Sequence, residues 1–369
     1  MPPPRTGWRE QPIMAQSPSG RGAKRLPSLT GFILLALCSC GLADCAPRLQ
    51  LPGPANTAPR LSDDVIVTPD GVSLPLRRWA PDGPPKVVVL ALHGFNDYSN
   101  AFDDPGQAWA NYGVITYAYD QRGFGAAPNR GIWAGAAAYA DDLRLAAALL
   151  RDRHPGLPLY ILGESMGGAV TMVAMASATP PDSDGVILVA PAVWGRDFMP
   201  IYQTIPLWFS AHLMPWMHLT GKGLKIRPSD NIEMLRKFSA DPLVIKETRV
   251  DAIHGLVDLM DAAQAAAPKL SARSLILYGL QDEVVPDKPT FAMIKQLPEF
   301  DPPRHRLALY SKGYHMLMRD LQAATVIEDA LVWMGNPSQP LPSGAEQSLA
   351  ATSSAARSGT GLPDTSKRP

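Results

Sequence analysis

Residues Leu159–Gly168 read Leu-Tyr-Ile-Leu-Gly-Glu-Ser-Met-Gly-Gly, and this stretch decides the fold. A short apolar run enters a Gly-x-Ser-x-Gly turn, and a second apolar segment, Ala169–Met175, leaves it. A serine on a sharp strand-to-helix turn is lifted clear of the sheet, and glycines stand beside it because the turn leaves no room for side chains. The five-residue pattern also occurs by chance in unrelated loops, but both flanks here have the required character. The stretch therefore predicts a nucleophile elbow with Ser165 as the candidate nucleophile.

Apolar runs like the one before the elbow recur along the chain. Nearly continuous runs are typical of strands buried on both faces of a parallel sheet. They cover 86–93, 114–119, 159–162, 185–189, 274–278 and 305–310, with helical patterns at 136–152, 166–178, 290–296 and 315–334. Segments 64–68 and 74–79 flank Pro69-Asp70-Gly71 and predict a hairpin. Strands that alternate with helices predict an α/β fold with a mostly parallel, doubly wound sheet.

Polar residues follow these strands, where ligands of such sheets gather. Asp282 comes after the run that ends at Tyr278, and His315 comes after the run that ends at Tyr310. With Ser165 they follow the chain order nucleophile, acid, histidine. A carboxylate in this position fixes the imidazole tautomer and stabilises the imidazolium. Glu283 is the alternative acid.

The loops after the first two buried strands supply further candidates. The N–H of the residue after the nucleophile, Met166, and an N–H in the first loop, assigned to Phe95, are the expected oxyanion donors. We expect His93 to orient its loop by hydrogen bonding, with a role as catalytic base as the alternative. Asp120 and Arg122, in a glycine-rich turn, are predicted to support their loop.

Composition excludes several classes of function. The chain has 369 residues, 46% of them hydrophobic and 18% charged, and a formal net charge of +0. This favours one or two globular domains and gives no electrostatic basis for binding nucleic acid. No pair of histidines shows zinc-ligand spacing with a nearby carboxylate, so neither a metal nor another cofactor is assigned.

The N-terminus predicts export. Arg21, Lys24 and Arg25 precede the apolar segment 31–43, which suits a signal peptide and is short for a membrane span. The long polar lead before it suggests Met14 as an alternative start.

The three cysteines, Cys38, Cys40 and Cys45, all lie in or just after this segment, so no disulfide or thiolate site is expected in the folded body. The end of the segment resembles a bacterial lipobox. We predict lipidation at Cys45, although Asp44 replaces the small residue expected before the cysteine; Cys40, ordinary signal cleavage and an uncleaved anchor are the alternatives. The expected location is a bacterial membrane, facing the periplasm or the exterior.

Five motifs together resemble the α/β-hydrolase superfamily, and within it the monoacylglycerol lipase and lysophospholipase branch, also grouped with serine aminopeptidase-like hydrolases. They are His93-Gly94 and the segments 120–125, 163–168, 279–286 and 313–315. The resemblance implies a triad of Ser165, His315 and Asp282, and it favours Asp282 over Glu283. One departure concerns Phe95, because residues 96–100 read Asn-Asp-Tyr-Ser-Asn where the branch often has further glycines or serines.

Composition and the resemblance together give a domain plan. We predict an export segment at 1–45, a Pro-rich linker at 46–62, an α/β-hydrolase domain at 63–335 and a disordered tail at 336–369. Residues 191–270, too long for a simple connection, would form a helical cap over the active site. Its Trp194, Trp208, Phe209 and Trp216 are expected to contact an acyl chain, the alternative being that they only bury the cap against the core.

The expected function is a serine hydrolase that cleaves carboxylic esters of the monoacylglycerol or lysophospholipid type. An aminopeptidase or amidase is an alternative and needs a carboxylate pair in the cap for the free amine, drawn from Asp241, Glu247, Asp251 and Asp258. An acyltransferase on the same triad and a non-catalytic binding protein are further alternatives.

Overall fold

A computed structural model describes residues 46–300 and 303–349 of the chain. The predicted export segment, with Cys45, and residues 350–369 lie outside the described residues. Among the described residues, no helix combines the length and the apolar character that crossing a membrane requires.

A ten-stranded sheet runs through the described residues in the order β1-β2-β3-β5-β4-β6-β7-β10-β11-β12. The strands β4 to β7, β10 and β11 pair in parallel, and antiparallel strands extend both edges. Their bounds are β1 Arg60–Leu61, β2 Val65–Val67, β3 Ser73–Trp79, β4 Val87–Leu92, β5 Val114–Tyr119, β6 Leu159–Glu164, β7 Gly185–Val189, β10 Ser274–Gly279, β11 His305–Tyr310 and β12 Glu346–Gln347. Each apolar run of the sequence is a strand, so the predicted mostly parallel sheet is confirmed.

Helices cover both faces of this sheet. Their bounds are α1 Asp103–Ala110, α2 Ala136–Arg153, α3 Met166–Met175, α4 Ile201–Leu213, α5 Ile232–Ala240, α6 Val250–Ala266, α7 Asp287–Lys295 and α8 Ala323–Gly335. One apolar cluster joins the sheet to α2, α3, α6 and α7, and a second joins it to α1 and α8. The doubly wound arrangement is therefore confirmed. Trp109 in α1 and Trp333 in α8 are fully buried in the second cluster.

Strand register places the elbow beside the first loop. Leu92, the last residue of β4, pairs with Gly163 in β6, so Ser165 emerges next to the loop that begins at His93. The hairpin β2–β3 also forms as predicted, and Gly71 in its turn takes φ +82°, a conformation that favours glycine.

The predicted disordered tail begins too early. Residues 336–349 pack on the domain: β12 pairs antiparallel with β11, and Glu346 receives two hydrogen bonds from Arg306, each at 2.6 Å. Leu341 is buried, and the N–H of Ser343 donates to Asp329. The sequence did not predict this packing because only a few side chains anchor the segment, and the rest of its composition is typical of a disordered tail.

The segment 46–62 is also more than a linker. Leu49 forms a parallel bridge with Trp133, and the N–H of Arg48 donates to Asp251 at 3.0 Å. Arg60–Leu61 form an edge strand of the main sheet. Proline prevents regular structure over much of this segment, but it does not prevent the chain from packing along the domain surface.

The predicted cap at 191–270 is too long. Its last helix, α6, packs on α2 and α3 and belongs to the body, because its buried face completes the same apolar core. The part before α6 is not purely helical, since β8 His218–Thr220 and β9 Glu247–Arg249 form a two-stranded antiparallel sheet between its helices. We call residues 196–249 the cap from here on.

The helix predicted to begin at His315 begins later, at Ala323. Residues 315–322 form successive turns instead. The carboxylate of Asp320 accepts hydrogen bonds from the N–H groups of Tyr314 and Gln322, which stabilises these turns in place of a helix.

Candidate active site

The elbow has the geometry that its sequence predicts. Ser165 takes φ 52° and ψ −114° between the end of β6 and the start of α3. A Cβ on Gly163 would lie 2.4 Å from the carbonyl oxygen of Gly167, and one on Gly167 would lie 2.1 Å from that of Leu92. Real Cβ atoms do not approach so closely, so the turn requires glycine at both positions. The strained backbone holds the Ser165 hydroxyl at the edge of the sheet.

Three side chains from distant parts of the chain meet at this hydroxyl. Oγ of Ser165 lies 3.0 Å from Nε2 of His315, and Nδ1 of His315 lies 2.8 Å from Oδ2 of Asp282. Oδ1 of Asp282 accepts hydrogen bonds from the N–H groups of Val284 and Val285, which fixes the carboxylate. The alternative acid, Glu283, points elsewhere: its exposed carboxylate accepts from the N–H of Arg227.

The charge state of His315 depends on two opposing effects. Burial disfavours the imidazolium, but the carboxylates of Asp282 and Glu164 favour it more strongly, so the pKa of His315 lies above 6.5. A histidine with a raised pKa is a better proton acceptor and still releases the proton near neutral pH. The arrangement can therefore remove a proton from Ser165 and return it to a leaving group.

Two backbone N–H groups adjoin the hydroxyl. Met166 is the first residue of α3, so its N–H has no acceptor within the helix. A Cβ on Gly94 would lie 3.3 Å from Cβ of Ser165, which shows how closely the loop after β4 approaches the elbow. In the described chain, no backbone carbonyl accepts from the N–H of Phe95. These are the two positions that the sequence assigned as oxyanion donors.

His93 does not face the hydroxyl. It is fully buried, Nδ1 lies 2.8 Å from the carbonyl of Gly94, and Nε2 accepts from the N–H of Gln121 at 3.0 Å. Desolvation lowers its pKa, which keeps the ring neutral. Both ring nitrogens are thus occupied in holding two loops together, as expected from the sequence.

Asp120 and Arg122 support their loop separately rather than as a pair. Asp120 accepts from the N–H groups of Ser99 and Ala126. The buried guanidinium of Arg122 binds Asp70 at 2.7 Å and Asp142 at 2.7 Å. Arg122 therefore ties the hairpin turn and α2 to the loop after β5, at a distance from the reacting groups.

A cavity of about 990 Å³ opens onto Ser165 and His315. Its walls are mostly apolar and come from the cap, from α6 and from the loops at the sheet edge. The apolar lining includes Phe95, Trp194, Met199, Leu224, Ile226, Phe238, Ile253, Leu256, Met260 and Val284. Lys222, Lys246 and Glu247 contribute charged groups. Such a cavity suits a long apolar chain with one polar end.

Three of the four aromatic residues predicted to bind substrate do not line this cavity. Trp194 does, whereas Trp208, Phe209 and Trp216 lie outside it and are 50%, 53% and 50% exposed. Trp208 stacks on His212 with ring centroids 4.4 Å apart. The prediction failed because α4 turns Trp208 and Phe209 to the outer surface and Trp216 lies in an exposed turn after that helix. Residue type alone does not reveal which face of an element is buried.

The carboxylates that an amine site would need are mostly occupied. Asp241 accepts from the hydroxyl of Tyr98 at 2.6 Å, Asp251 pairs with Arg249, and Asp258 pairs with Arg196. Of the four candidates, only Glu247 lines the cavity. The structure thus brings no carboxylate pair from this set to the cavity that holds Ser165. No group of three or more metal-ligating side chains occurs within 46–300 and 303–349.

Sequence reasoning missed one buried cluster at the site. Nη2 of Arg319 lies 2.7 Å from Oδ2 of Asp97 and 3.3 Å from both carboxylate oxygens of Glu164. All three side chains are at least nine-tenths buried. The available signal was one charged residue at each of two motifs. Glu164 stands inside Gly-x-Ser-x-Gly, and Arg319 follows His315 by four residues.

Comparisons with known proteins identify the family and the fold. The model of a protein family described as serine aminopeptidase, S33 matches residues 83–322. Monoglyceride lipase of Homo sapiens is 24% identical over 279 residues, which cover 73% of this chain and 89% of the lipase. Monoacylglycerol lipase of Mycolicibacterium smegmatis is 24% identical over 269 residues, covering 72% and 93%. The fold is similar to that of a soluble variant of monoglyceride lipase from Saccharomyces cerevisiae in complex with a substrate analog, with a TM-score of 0.64 and 19% identity, covering 79% of this chain and 99% of that one.

Proposed function

The chain belongs to the serine aminopeptidase S33 family and is an ester hydrolase with the α/β-hydrolase fold, and we propose that Ser165 attacks its substrates. His315 takes the proton of Ser165 while Oγ bonds to the ester carbonyl carbon. Asp282 holds the imidazole in the required tautomer and stabilises the imidazolium. The N–H groups of Met166 and Phe95 bind the oxyanion.

The alcohol then leaves with the proton from His315, and an acyl-enzyme remains on Ser165. Water loses a proton to His315 and attacks the acyl carbonyl, which releases the acid and restores the serine. The observation that carries this proposal is the chain of contacts from Ser165 through His315 to Asp282, at 3.0 Å and 2.8 Å.

Replacing Ser165 tests the mechanism. We expect Ser165→Ala to abolish both turnover of p-nitrophenyl esters and labelling by a fluorophosphonate probe. Ser210→Ala, on the outer helix α4, is a matched control and should retain both. Labelling that survives in Ser165→Ala would refute the assignment of the nucleophile.

The substrates we propose are monoacylglycerols or lysophospholipid-type esters, because the cavity at Ser165 is large and mostly apolar. Each buried methylene contributes up to about 0.8 kcal/mol, or roughly a fourfold gain in kcat/KM. On a panel of monoacylglycerols and lysophospholipids of increasing chain length, kcat/KM should rise with length. A flat profile would contradict the proposal.

The same panel separates the alternatives. Aminoacyl amides test the aminopeptidase, and added glycerol tests the acyltransferase, since an acceptor alcohol would replace water at the acyl-enzyme. We expect slow turnover of the amides, because only Glu247 of the four candidate carboxylates lines the cavity. Free fatty acid should remain the main product when glycerol is present.

We further propose that the protein is an exported lipoprotein held at the membrane through Cys45. The support is the sequence pattern at 31–45. Cys45→Ser should move the protein from the membrane fraction to the soluble fraction, whereas Cys40→Ser should not. Globomycin should cause the unprocessed precursor to accumulate. Membrane retention of the Cys45→Ser variant would remove this cysteine as the anchor.

A further inference from the structure

Arg319 joins three loops that meet at the candidate active site. It follows His315 by four residues, its partner Asp97 follows Phe95 by two, and its partner Glu164 directly precedes Ser165. The guanidinium thus connects the histidine loop, the loop with the first oxyanion donor, and the elbow with the second.

Loss of one partner from this cluster should cost more than loss of a surface ion pair, because the charges are buried. The side chains of Arg319, Asp97 and Glu164 are 10%, 5% and 3% exposed. Two buried carboxylates without a cation would repel each other in a medium that screens them weakly, so the loops that carry them would move apart. Arg319 offsets this repulsion. Its cation also lies over the ring of Phe238 in the cap helix α5, with 5.8 Å to the centroid.

Contacts on two sides hold the loop that carries Phe95. Asn96, the next residue, has φ +65°, a left-handed conformation that glycine and asparagine adopt more readily than other residues. The cap holds this loop on one side: Nδ2 of Asn96 donates to Thr248 at 2.7 Å, and the carbonyl of Asn96 accepts from Ile245. Without Arg319, the loop would keep its hydrogen bonds to Ile245 and Thr248 of the cap and lose its ionic attachment to the elbow.

We propose that Arg319 is a positioning residue that fixes the oxyanion loop against the elbow through Asp97 and Glu164. The inference rests on the proposed mechanism. Arg319 keeps the N–H groups of Phe95 and Met166 directed at one oxygen atom, and so acts on the transition state more than on substrate binding. Its loss should lower kcat and leave KM nearly unchanged.

The cluster also sets the electrostatic field at His315. Asp282 faces His315 from the loop after β10 and Glu164 from the end of β6, and both favour the imidazolium, whereas Arg319 on its own loop disfavours it. Asp97 faces the cluster from the loop after β4. Lys222, Lys246 and Glu247 line the same cavity, and Glu283 binds the nearby Arg227. Removing the Arg319 cation should therefore raise the pKa of His315 further, and removing the Glu164 charge should lower it.

The experiment compares Arg319→Met, Arg319→Lys and Glu164→Gln with the unaltered enzyme on a soluble p-nitrophenyl ester across pH. We expect Arg319→Met to reduce kcat by about 100-fold, the order reported for loss of one oxyanion donor, with KM changed by less than about threefold. The acid limb of kcat/KM should move to higher pH in Arg319→Met and to lower pH in Glu164→Gln. Arg319→Lys keeps the charge, so it should restore the position of the acid limb and part of kcat.

A merely structural role would not move the two acid limbs in opposite directions. If Arg319→Met does not fold, Arg319→Lys and Glu164→Gln still give the kcat and pH comparisons. Unchanged kcat in the Arg319 variants, a loss confined to KM, or shifts of the same sign would overturn the inference. Ser165→Ala in the same assay separates the two proposals: if it is inactive while Arg319→Met is normal, only the role of Arg319 fails, and if it is active, both fail.

Discussion

At the residue scale, the pKa of His315 decides the pH range of activity. Burial opposes protonation, but Asp282 and Glu164 outweigh it and hold the pKa above 6.5. His315 must be neutral to accept the serine proton, so activity should fall as pH falls through this raised pKa. The acid midpoint of kcat/KM should accordingly lie above pH 6.5.

Replacing Asp282 should reverse the upward shift in the pKa of His315. Asp282→Asn should move the acid midpoint to lower pH and reduce kcat by roughly 10⁴, the loss seen when the same change is made in a serine protease triad. Glu283→Gln is the matched change one residue away, on an exposed side chain, and should leave the midpoint in place. A pH–rate series on the two variants checks the assignment, and an unchanged midpoint in Asp282→Asn would contradict it.

A second residue carries stability rather than chemistry. Arg122 is buried between Asp70 and Asp142, so Arg122→Met leaves two carboxylates in the interior without a cation. We expect a loss of about 3–5 kcal/mol in the free energy of unfolding, measured by urea denaturation. Arg78→Met, which breaks an exposed pair with Asp63, should cost much less, because water already screens that pair. Equal losses in the two variants would show that burial does not set the difference.

At the element scale, α4 presents two of the aromatic residues predicted to bind substrate to the outer surface, away from the cavity. Trp194, before the cap, lines the cavity, whereas Trp208 and Phe209 lie on the outer face of α4. The position of each side chain relative to the cavity, and not its type, should therefore decide its effect on turnover.

Activity on soluble esters tests this division. Trp194→Ala should lower kcat/KM for a long-chain ester by about tenfold, since it removes roughly 1–2 kcal/mol of apolar contact, and should affect an acetate ester less. The double variant Trp208→Ala, Phe209→Ala should stay within about twofold on both substrates, because exposed residues contribute little contact to a bound chain. A large loss in the double variant on soluble esters would mean that α4 covers the cavity during turnover.

At the scale of the whole molecule, the sheet is completed by a segment that lies far along the chain. Strand β12 closes the edge beside β11, and Arg306, Glu346 and the buried Leu341 hold it there. A chain that ends at 349 should unfold with the same free energy as the full chain. One that ends at 335 should lose about 3 kcal/mol, from the Leu341 side chain and the bidentate ion pair. Thermal or urea unfolding of the two truncations measures the difference, and equal stabilities would contradict the role of β12.

The sequence by itself determined the buried strands, the elbow at Ser165 and the order of Ser165, Asp282 and His315. These features are local: a strand buried on both faces is apolar throughout, and a strained turn admits only glycine at Gly163 and Gly167. Most helices were also predictable from the sequence. The turns after His315 were predicted as helix, because their local pattern does not reveal the hydrogen bonds that Asp320 accepts.

Only the tertiary structure decided which aromatic residues face the cavity, that residues 336–349 join the sheet, and that Arg319 lies between Asp97 and Glu164. Each of these depends on contacts between residues that are far apart in the chain. An apolar side chain is equally compatible with an inward and an outward face, and a buried charge is tolerated only where the fold brings a partner to it. Such pairings are set by the packing of elements, which local sequence patterns do not encode.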